Sequence, residues 1–350
     1  MAARPAVAVL GAGAVGGYLG AKIAASLLEP HHVTLIGRPT LVDAINSDGL
    51  VLHEDALSRA EHLTAVSDAE STSPADLTIF TVRTFDVAAA IPQARYLMGE
   101  TGMLLAMQNG VGTEEDLAEA LGRERMLAGT LTVSVAMDQP GVINRLSSSG
   151  GIALSTMDGS SVPVWVTDLF RATDIPTALV ADYRALRWSK LLLNMLGAAT
   201  TSILNIDMAS LARDPSLFRL EQRAFREAGR VTDAQGIDTV DLPGYPVRLA
   251  RMAMRLPSPI ASRLIGPRMA RARGGRASGM RRDLKRNRTE MANLNGAVVK
   301  AGRQTGVPTP VNEVLCDLMM DLAEHPEDRD GFDGNPDRLL SLVRTRGVRI

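Results

Sequence analysis

The chain has 350 residues, with 38 Lys and Arg against 39 Asp and Glu, five His, one Cys and 3% aromatic residues. A formal net charge of −1 gives no global field for a nucleic-acid backbone. One cysteine excludes an intramolecular disulfide framework and fits a reducing compartment. No stretch approaches the roughly 18 to 20 uninterrupted apolar residues of a membrane span.

In chain order, Met1–Pro5 runs into an apolar strand without a signal peptide's three-part pattern, so a cytoplasmic protein is expected. Ala6–Leu10 is a continuous apolar run, as a parallel strand buried on both faces requires. A Gly-rich turn follows, then a helical pattern through Leu28. His32–Ile36, Leu77–Val82 and Met103–Met107 read as further strands. The alternation of strand and helix predicts a parallel sheet with helices on both faces. Three short runs, Thr130–Ala136, Gly141–Leu146 and Gly151–Leu154, read as an antiparallel extension of that sheet.

The second half reads as helical: Tyr183–Ile203 as one long helix, then Leu217–Ala234, Met280–Gln304 and Val311–Ala323. Thr309 is the expected N-cap of the last, with Pro310 at its first helical position. The Asp-, Pro- and Gly-rich tail is expected to be loosely ordered. The predicted fold is α/β: an N-terminal Rossmann-type dinucleotide-binding domain over 1–180, an all-helical catalytic or substrate domain over 181–325, and a tail over 326–350.

Gly11-Ala12-Gly13-Ala14-Val15-Gly16 matches G-x-G-x-x-G between a buried strand and a helix. Gly11 permits the tight turn, Gly13 lets backbone approach a pyrophosphate, and Gly16 allows close helix–strand packing. The diphosphate would meet the helix's free N–H groups and positive dipole end. An NAD site wants a carboxylate at the end of the second strand, but here Leu35-Ile36-Gly37-Arg38 has none. A guanidinium beside a small glycine suits a 2′-phosphate, so NADP(H) is favoured over NAD(H). Read alone, Arg38 also fits a solvated loop charge.

Gln108-Asn109-Gly-Val-Gly112 closes the strand after Met103, at the carboxyl edge where open α/β sheets bind ligands. Together with the glycine turn this resembles the ketopantoate reductases (2-dehydropantoate 2-reductases). Arg187-Trp-Ser-Lys190-Leu-Leu-Leu-Asn194 is similar to the family's Trp-x-Lys-Leu-x-x-Asn helix. Thr289-Glu290-Met-Ala-Asn-Leu-Asn295-Gly296, followed by Gly306-Val-Pro-Thr-Pro310-Val-Asn312, resembles its C-terminal signature. The likeness spans residues from about 6 to 323 in the family's order.

Lys190 and Asn194 are four apart and share a helix face in an otherwise apolar run. Read alone, Lys190 also fits a lysine that extends its ammonium to water. The resemblance implies reduction of a 2-keto acid to a 2-hydroxy acid by hydride from NADPH, with 2-dehydropantoate as the family's substrate. It makes Lys190 the general acid and Glu290 a residue that contacts ligand and orders the centre. It assigns Asn109 to nicotinamide ribose and substrate, and Asn194 to substrate. Without the resemblance, Glu290 is equally a helix carboxylate paired with Arg286, and Asn109 a turn residue before Gly110.

Departures from the family pattern fall on the substrate side. The second substrate asparagine is replaced by Ala198, with Thr201 nearly on the same face as a conjectured substitute. In Ser278-Gly279-Met280, Gly279 takes the place of the family's serine, leaving Ser278 as a substrate-binding candidate one residue early. The family's lysine after the fourth strand is Arg83, which keeps the charge near the cofactor. These changes also admit a different ketone or imine substrate, or an NADPH-binding sensor without turnover.

The basic stretch 268–288 reads as a solvated loop and helix start, or in part as an attractor for an anionic substrate. It lacks the aromatic residues of a nucleic-acid site, so neither nucleic acid nor membrane is an expected partner. The five histidines show no metal-ligand spacing, and Cys316 reads as a core thiol. The apolar C-terminal helices offer a surface for a homodimer.

Overall fold

In the computed structural model, residues 5–27, 32–54, 57–61, 63–271 and 279–348 are described. They divide into two units: one of residues 1–108, 113–186 and 242–245, the other of 109–112, 187–241 and 246–350.

The first unit is built on a sheet of β1 (Val7–Leu10), β2 (Val33–Ile36), β5 (Thr64–Val66), β6 (Leu77–Phe80), β7 (Met103–Ala106), β8 (Met126–Leu131), β11 (Ile152–Thr156) and β12 (Thr177–Leu179). The spatial order is β12-β11-β8-β7-β6-β1-β2-β5. The chain leaves β1 toward β2 and β5, then returns to β6 on the other side, so β1 and β6 flank the switch point where such sheets take ligands. β8 and β11 pair antiparallel, as expected of the sheet's extension.

The rest of that region departs from the expectation: the run Thr130–Ala136 is split between β8 and a further strand, and Gly141–Leu146 does not join this sheet. β9 (Val135–Gln139) and β10 (Val142–Arg145) join β3 (Leu50–Glu54) and β4 (Leu57–Glu61) in a separate sheet of order β4-β3-β10-β9. β10 pairs parallel with β3, a partner that no local pattern designates.

Alternate residues of the central strands feed two cores. Val7, Val9, Leu35 and Ile79 face the layer of α1 (Ala14–Leu27). Ala8, Leu10, Phe80 and Leu104 pack with Ala94 and Leu97 of α3 (Val87–Met98) and Leu117 of α4 (Thr113–Leu121). Helices α2 (Pro39–Asp48) and α5 (Val164–Arg171) complete the unit.

The second unit carries α6 (Tyr183–Met195, from Arg187 onward), α7 (Ala198–Leu204), α8 (Met208–Arg213), α9 (Pro215–Ala234), α10 (Val247–Met254), α11 (Ser258–Arg271), α12 (Gly279–Leu284), α13 (Asn295–Thr305), α14 (Pro310–Glu324) and α15 (Pro336–Thr345). Two of the expected long helices are broken. The first ends at Met195 because Gly197 adopts φ +73°, a left-handed conformation open to glycine, and α7 restarts beyond it. The second is interrupted after Leu284, where Asn287 has φ +57° and Asp283 O accepts from the Arg288 N–H at 3.1 Å.

Thr309 occupies the N-cap of α14, but its side chain makes no cap hydrogen bond. The buried Glu227 carboxylate does this instead, accepting from the Val311 and Asn312 N–H groups at 3.1 Å each. Burial pushes the Glu227 carboxyl up, against the opposing pull of the Asn312 and Val311 donors. Residues after His325, expected to be loose, form a short 3-10 helix and α15, which buries Leu339, Leu340 and Val343.

A buried ion cluster ties α1 to the second sheet within the first unit. Lys22, 3% exposed, donates to Glu54 Oε2 at 2.9 Å and to Asp174 Oδ1 at 2.6 Å. Arg145 and the Tyr18 hydroxyl both reach Glu54 Oε1, at 3.1 and 3.2 Å. Burial alone would raise the Glu54 carboxyl, but hydrogen bonds from Lys22 and Arg145 hold it below its ordinary 4.5. Removing one partner from a buried pair strands the other charge, so Glu54→Gln should destabilise the unit by roughly 3 kcal/mol in urea unfolding at neutral pH. A folded-state pKa below the unfolded one gives stability that is complete above the unfolded value and lost as pH falls through the folded value. The stability gap between wild type and Glu54→Gln should therefore close below about pH 4; a gap unchanged at acid pH would show that Glu54 acts by packing alone.

Candidate active site

The glycine turn has the geometry its sequence requires. Gly11 has φ +97°, and the Gly11 and Ala12 N–H groups each donate to Ile36 O at 3.0 Å, fixing the turn to the end of β2. A Cβ on Gly11 would lie 2.7 Å from Val82 N, so the turn packs directly against the chain leaving β6. A Cβ on Gly16 would lie 2.7 Å from Gly11 O and 2.9 Å from Val9 Cγ1, which seats α1 close on β1. Gly13 is different: its nearest neighbour to a new Cβ is Gly11 O at 3.9 Å, leaving that side of the turn open.

The first helical bond of α1 is Gly17 N–H to Gly13 O at 2.8 Å. The amides of Ala14, Val15 and Gly16 precede it and have no intrahelical carbonyl to meet. Open space at Gly13 and this amide cluster fit a dinucleotide's pyrophosphate.

Arg38 follows Gly37 at the end of β2, exposed, as the N-cap position of α2. A Cβ on Gly37 would sit 3.4 Å from Ala12 Cβ, so Arg38 is one residue from direct contact with the turn. Arg83 follows β6 with its guanidinium 5.8 Å from the Phe85 ring centroid. Thr81, to which sequence reasoning gave no role, donates to Gly11 O at 2.7 Å and locks the turn from the β6 side. The buried Gln108 side chain donates to Phe80 O at 2.9 Å and Val82 O at 3.2 Å, tying the ends of β6 and β7 together.

In the helical unit the structure brings together Asn109 and Asn194. Asn194 Nδ2 donates to Asn109 Oδ1 at 2.8 Å. Lys190 lies one turn earlier on α6, half-buried beside the buried Trp188, Leu191 and Leu192. Glu290 is buried at 7% exposure. It does not stand within a helix as expected, but immediately before the short 3-10 helix Met291–Asn293, so the expected four-residue pairing with Arg286 has no helical basis.

Asn293 clamps the loop that carries Asn109: Val111 N–H donates to Asn293 O at 2.9 Å, and Asn293 Nδ2 donates to Val111 O at 3.3 Å. A Cβ on Gly110 would come within 2.7 Å of Asn293 Cβ, so the Asn-Gly pair permits this contact. Asn293 was visible only as part of the C-terminal motif. Its role depends on a loop far away in sequence.

Other motif residues are structural. Asn295 Nδ2 donates to Asn312 Oδ1 at 3.0 Å, and Asn312 Nδ2 donates to Ala224 O at 3.0 Å, joining α13, α14 and α9. Ala198 is buried at 3%. The Thr201 hydroxyl donates to Gly197 O at 2.6 Å, and the break at Gly197 removes the shared face with Asn194 that was expected.

Ser278 lies outside the described residues, as do His31, His62 and part of the basic stretch, including Arg273 and Arg276. Within the described part of that stretch, Arg281 is not solvated but buried, donating to Ser202 O at 2.9 Å and pairing with Asp333 at 2.8 Å. Cys316 is half-buried rather than in the core, and burial pushes its thiol up to about 11, which disfavours the thiolate at neutral pH. Among the described residues no group of His, Cys, Asp and Glu could hold a metal ion, and no helix is long and apolar enough to cross a membrane.

Comparison with known proteins matches the two halves of this arrangement. Residues 7–159 match the family model for ketopantoate reductase PanE/ApbA, and residues 182–323 match that for its C-terminal part. A 2-dehydropantoate 2-reductase of Halobacterium salinarum is 28% identical over 318 residues, covering 89% of this chain and 97% of the relative. The crystal structure of a PanE/ApbA family ketopantoate reductase from Ralstonia eutropha has a TM-score of 0.77 at 27% identity, covering 92% of this chain and 99% of that one. A D-mandelate dehydrogenase solved with NADH and anilino(oxo)acetate shares the fold, with a TM-score of 0.74 at 20% identity over 93% of this chain and 99% of that one. The chain belongs to the ketopantoate reductase PanE/ApbA family and is an oxidoreductase.

Proposed function

We propose that this protein is an NADPH-dependent reductase of a 2-keto acid, with 2-dehydropantoate as its first candidate substrate and Lys190 as the general acid. The observation that carries the reading is the 2.8 Å bond between Asn194 and Asn109, which holds the Asn109 amide against Asn194, itself one helical turn from Lys190. Neutral amides offer donors and acceptors to a keto acid without adding charge.

Bound NADPH supplies a hydride to the carbonyl carbon. Lys190 polarises the carbonyl oxygen through its ammonium and gives it a proton, so the ketone becomes a hydroxyl and the lysine is left neutral until solvent reprotonates it. Glu290, buried on the segment that clamps the Asn109 loop, orders the centre and contacts ligand. The amides of Ala14, Val15 and Gly16 receive the pyrophosphate, while Arg38 holds the 2′-phosphate and Arg83 adds positive charge nearby.

Ala198 supports a second reading, a reductase of the same type with a different keto acid. Loss of a buried amide partner costs about 1 to 3 kcal/mol, enough to redirect specificity. A panel of 2-keto acids that includes 2-dehydropantoate, followed by NADPH absorbance, separates the two.

Lys190→Ala should lower kcat by about 10²- to 10⁴-fold on any accepted keto acid while NADPH binding is kept; undiminished kcat would exclude the general-acid role. Arg38→Ala should weaken NADPH by about 10- to 100-fold and leave NADH nearly unchanged, as expected for losing a charge-assisted hydrogen bond. Equal loss for both nucleotides in fluorescence titration would rule out a phosphate clamp. Gly13→Ala should leave thermal stability within about 1 kcal/mol, because the added methyl meets open space in the free protein, yet weaken nucleotide binding. Unchanged nucleotide affinity in this variant would mean the pyrophosphate does not approach Gly13.

A further inference from the structure

Away from the residues assigned to reduction, α9 and α10 enclose a cavity of about 250 Å³ in the helical unit. Arg226, Arg230, Arg251 and Arg255 line it, with Asp233 as its single acid. The spacing is built into the helices. Arg226, Arg230 and Asp233 lie at i, i+4 and i+7 on α9, while Arg251 lies on α10 and Arg255, four residues on, is the C-cap of that helix. The buried Phe225 and Met254 form an apolar floor.

Part of this arginine set cross-links the two helices. Arg226 Nε donates to Met254 O and its NH2 group to Leu256 O, both at 2.6 Å. Arg251 donates to Gly229 O at 3.1 Å and to Asp233 Oδ1 at 2.7 Å, and Arg255 reaches Asp233 Oδ2 at 3.1 Å. Arg230 is exposed and has no hydrogen bond or ion pair among the described residues.

Arg226 spends its bonds on the Met254 and Leu256 carbonyls, and Arg251 and Arg255 share Asp233, so the cavity sets four cations against one carboxylate. Like charges held close together repel unless an anion joins them. Each guanidinium presents five N–H donors in a planar fork, and the bonds of Arg226 and Arg255 described above engage only some of them. The volume far exceeds one water's share of about 30 Å³.

We propose that this cavity is a binding site for a phosphate group, with Arg230 and Arg255 as its ligand-facing cations and Arg226 and Arg251 as its fixed walls. α10 also exposes Leu249 at 56% and Met252 at 65%. That apolar surface would favour a phosphate carrying an apolar portion. The group can therefore arrive on a soluble phosphorylated molecule or on a phospholipid headgroup, and the experiment must distinguish these sources. The site stands apart from Lys190, Asn194 and Glu290, so its failure would leave the reductase reading intact.

The test uses the full chain. Pyrophosphate binding is measured by calorimetry against sodium chloride of equal ionic strength. Sedimentation with phosphatidylcholine vesicles, with and without phosphatidic acid, measures the lipid source. The double variant Arg230→Glu/Arg255→Glu is compared throughout, with circular dichroism and reductase activity as checks that it folds. Saturable pyrophosphate binding, weakened by about tenfold or more in the double variant, supports the site with a soluble ligand. Retention only on phosphatidic acid vesicles, lost in the same variant, supports it with a lipid headgroup. No binding to either probe, or binding equal in wild type and double variant, overturns it.

Discussion

Two carboxylates from α9 determine how the helical unit is put together. Glu221, 2% exposed, accepts the Gly197 N–H at 2.6 Å and the Thr200 hydroxyl, and so receives the start of α7. Glu227, fully buried, does the same for α14 through Val311 and Asn312. Helix starts carry unsatisfied amides and partial positive charge, so a carboxylate there is both a hydrogen-bond acceptor and a dipole partner. Those amides explain why acids can be buried on α9 at all. The site residues depend on this arrangement. Glu221 fixes where α6 ends, and hence where Asn194 stands. Glu227 holds Asn312, which in turn holds Asn295, next to the segment that clamps the Asn109 loop.

The first unit solves a different problem, close approach without side chains. Gly11 and Gly16 let α1, β1 and the chain after β6 meet at distances that a Cβ would forbid. Thr81 and Gln108 then fasten the strand ends around that contact. The Lys22–Glu54–Arg145 cluster anchors the far part of α1 to the second sheet. α1 is thus held at its start by steric fit and along its length by buried charge, a rigid base for amides that must aim at one point.

The parts of the fold legible in the sequence are those whose signal is local. β1 and β7 are continuous apolar runs and β6 is interrupted only by Thr78, because both faces are covered, and the glycine turn is readable because each glycine answers a separate steric need. The second sheet was not legible. β3 alternates buried and half-buried residues, and its partner β10 lies about ninety residues later, so pairing is decided by tertiary packing. The break at Gly197 was equally hidden, since a glycine inside a helical pattern is tolerated until a distant acid such as Glu221 rewards the left-handed turn. Composition misled at the tail: its Asp, Pro and Gly content conceals α15, whose Leu339, Leu340 and Val343 repeat at helical spacing. In the candidate site, Lys190, Asn194, Asn109 and Glu290 were found through motifs. Asn293 was not singled out, because its function is a backbone clamp on another segment.

The two sides of the proposed reaction are therefore under unequal constraint. The proposed nucleotide contacts in the first unit are largely backbone amides, whose positions are set by glycine sterics and by bonds such as Thr81 to Gly11 O. A substitution at Gly11 or Gly16 disturbs packing before it can alter selectivity, whereas Gly13 has open space beside it and Arg38 is exposed. The proposed keto-acid contacts are side chains on α6 and the Asn109 loop, which can be exchanged singly. Ala198, where the resemblance expects a second substrate asparagine, is the candidate for such an exchange: it is buried, it makes no polar demand on its neighbours, and the nearby Thr201 hydroxyl donates to Gly197 O. In the proposed reaction, with no amide at that position, Asn109 and Asn194 would carry more of the substrate's hydrogen bonding, and a single lost contact of about 1 to 3 kcal/mol is comparable to the discrimination between related keto acids. A family scaffold can in this way keep its cofactor turn unchanged while α7 resets which carbonyl compound is reduced.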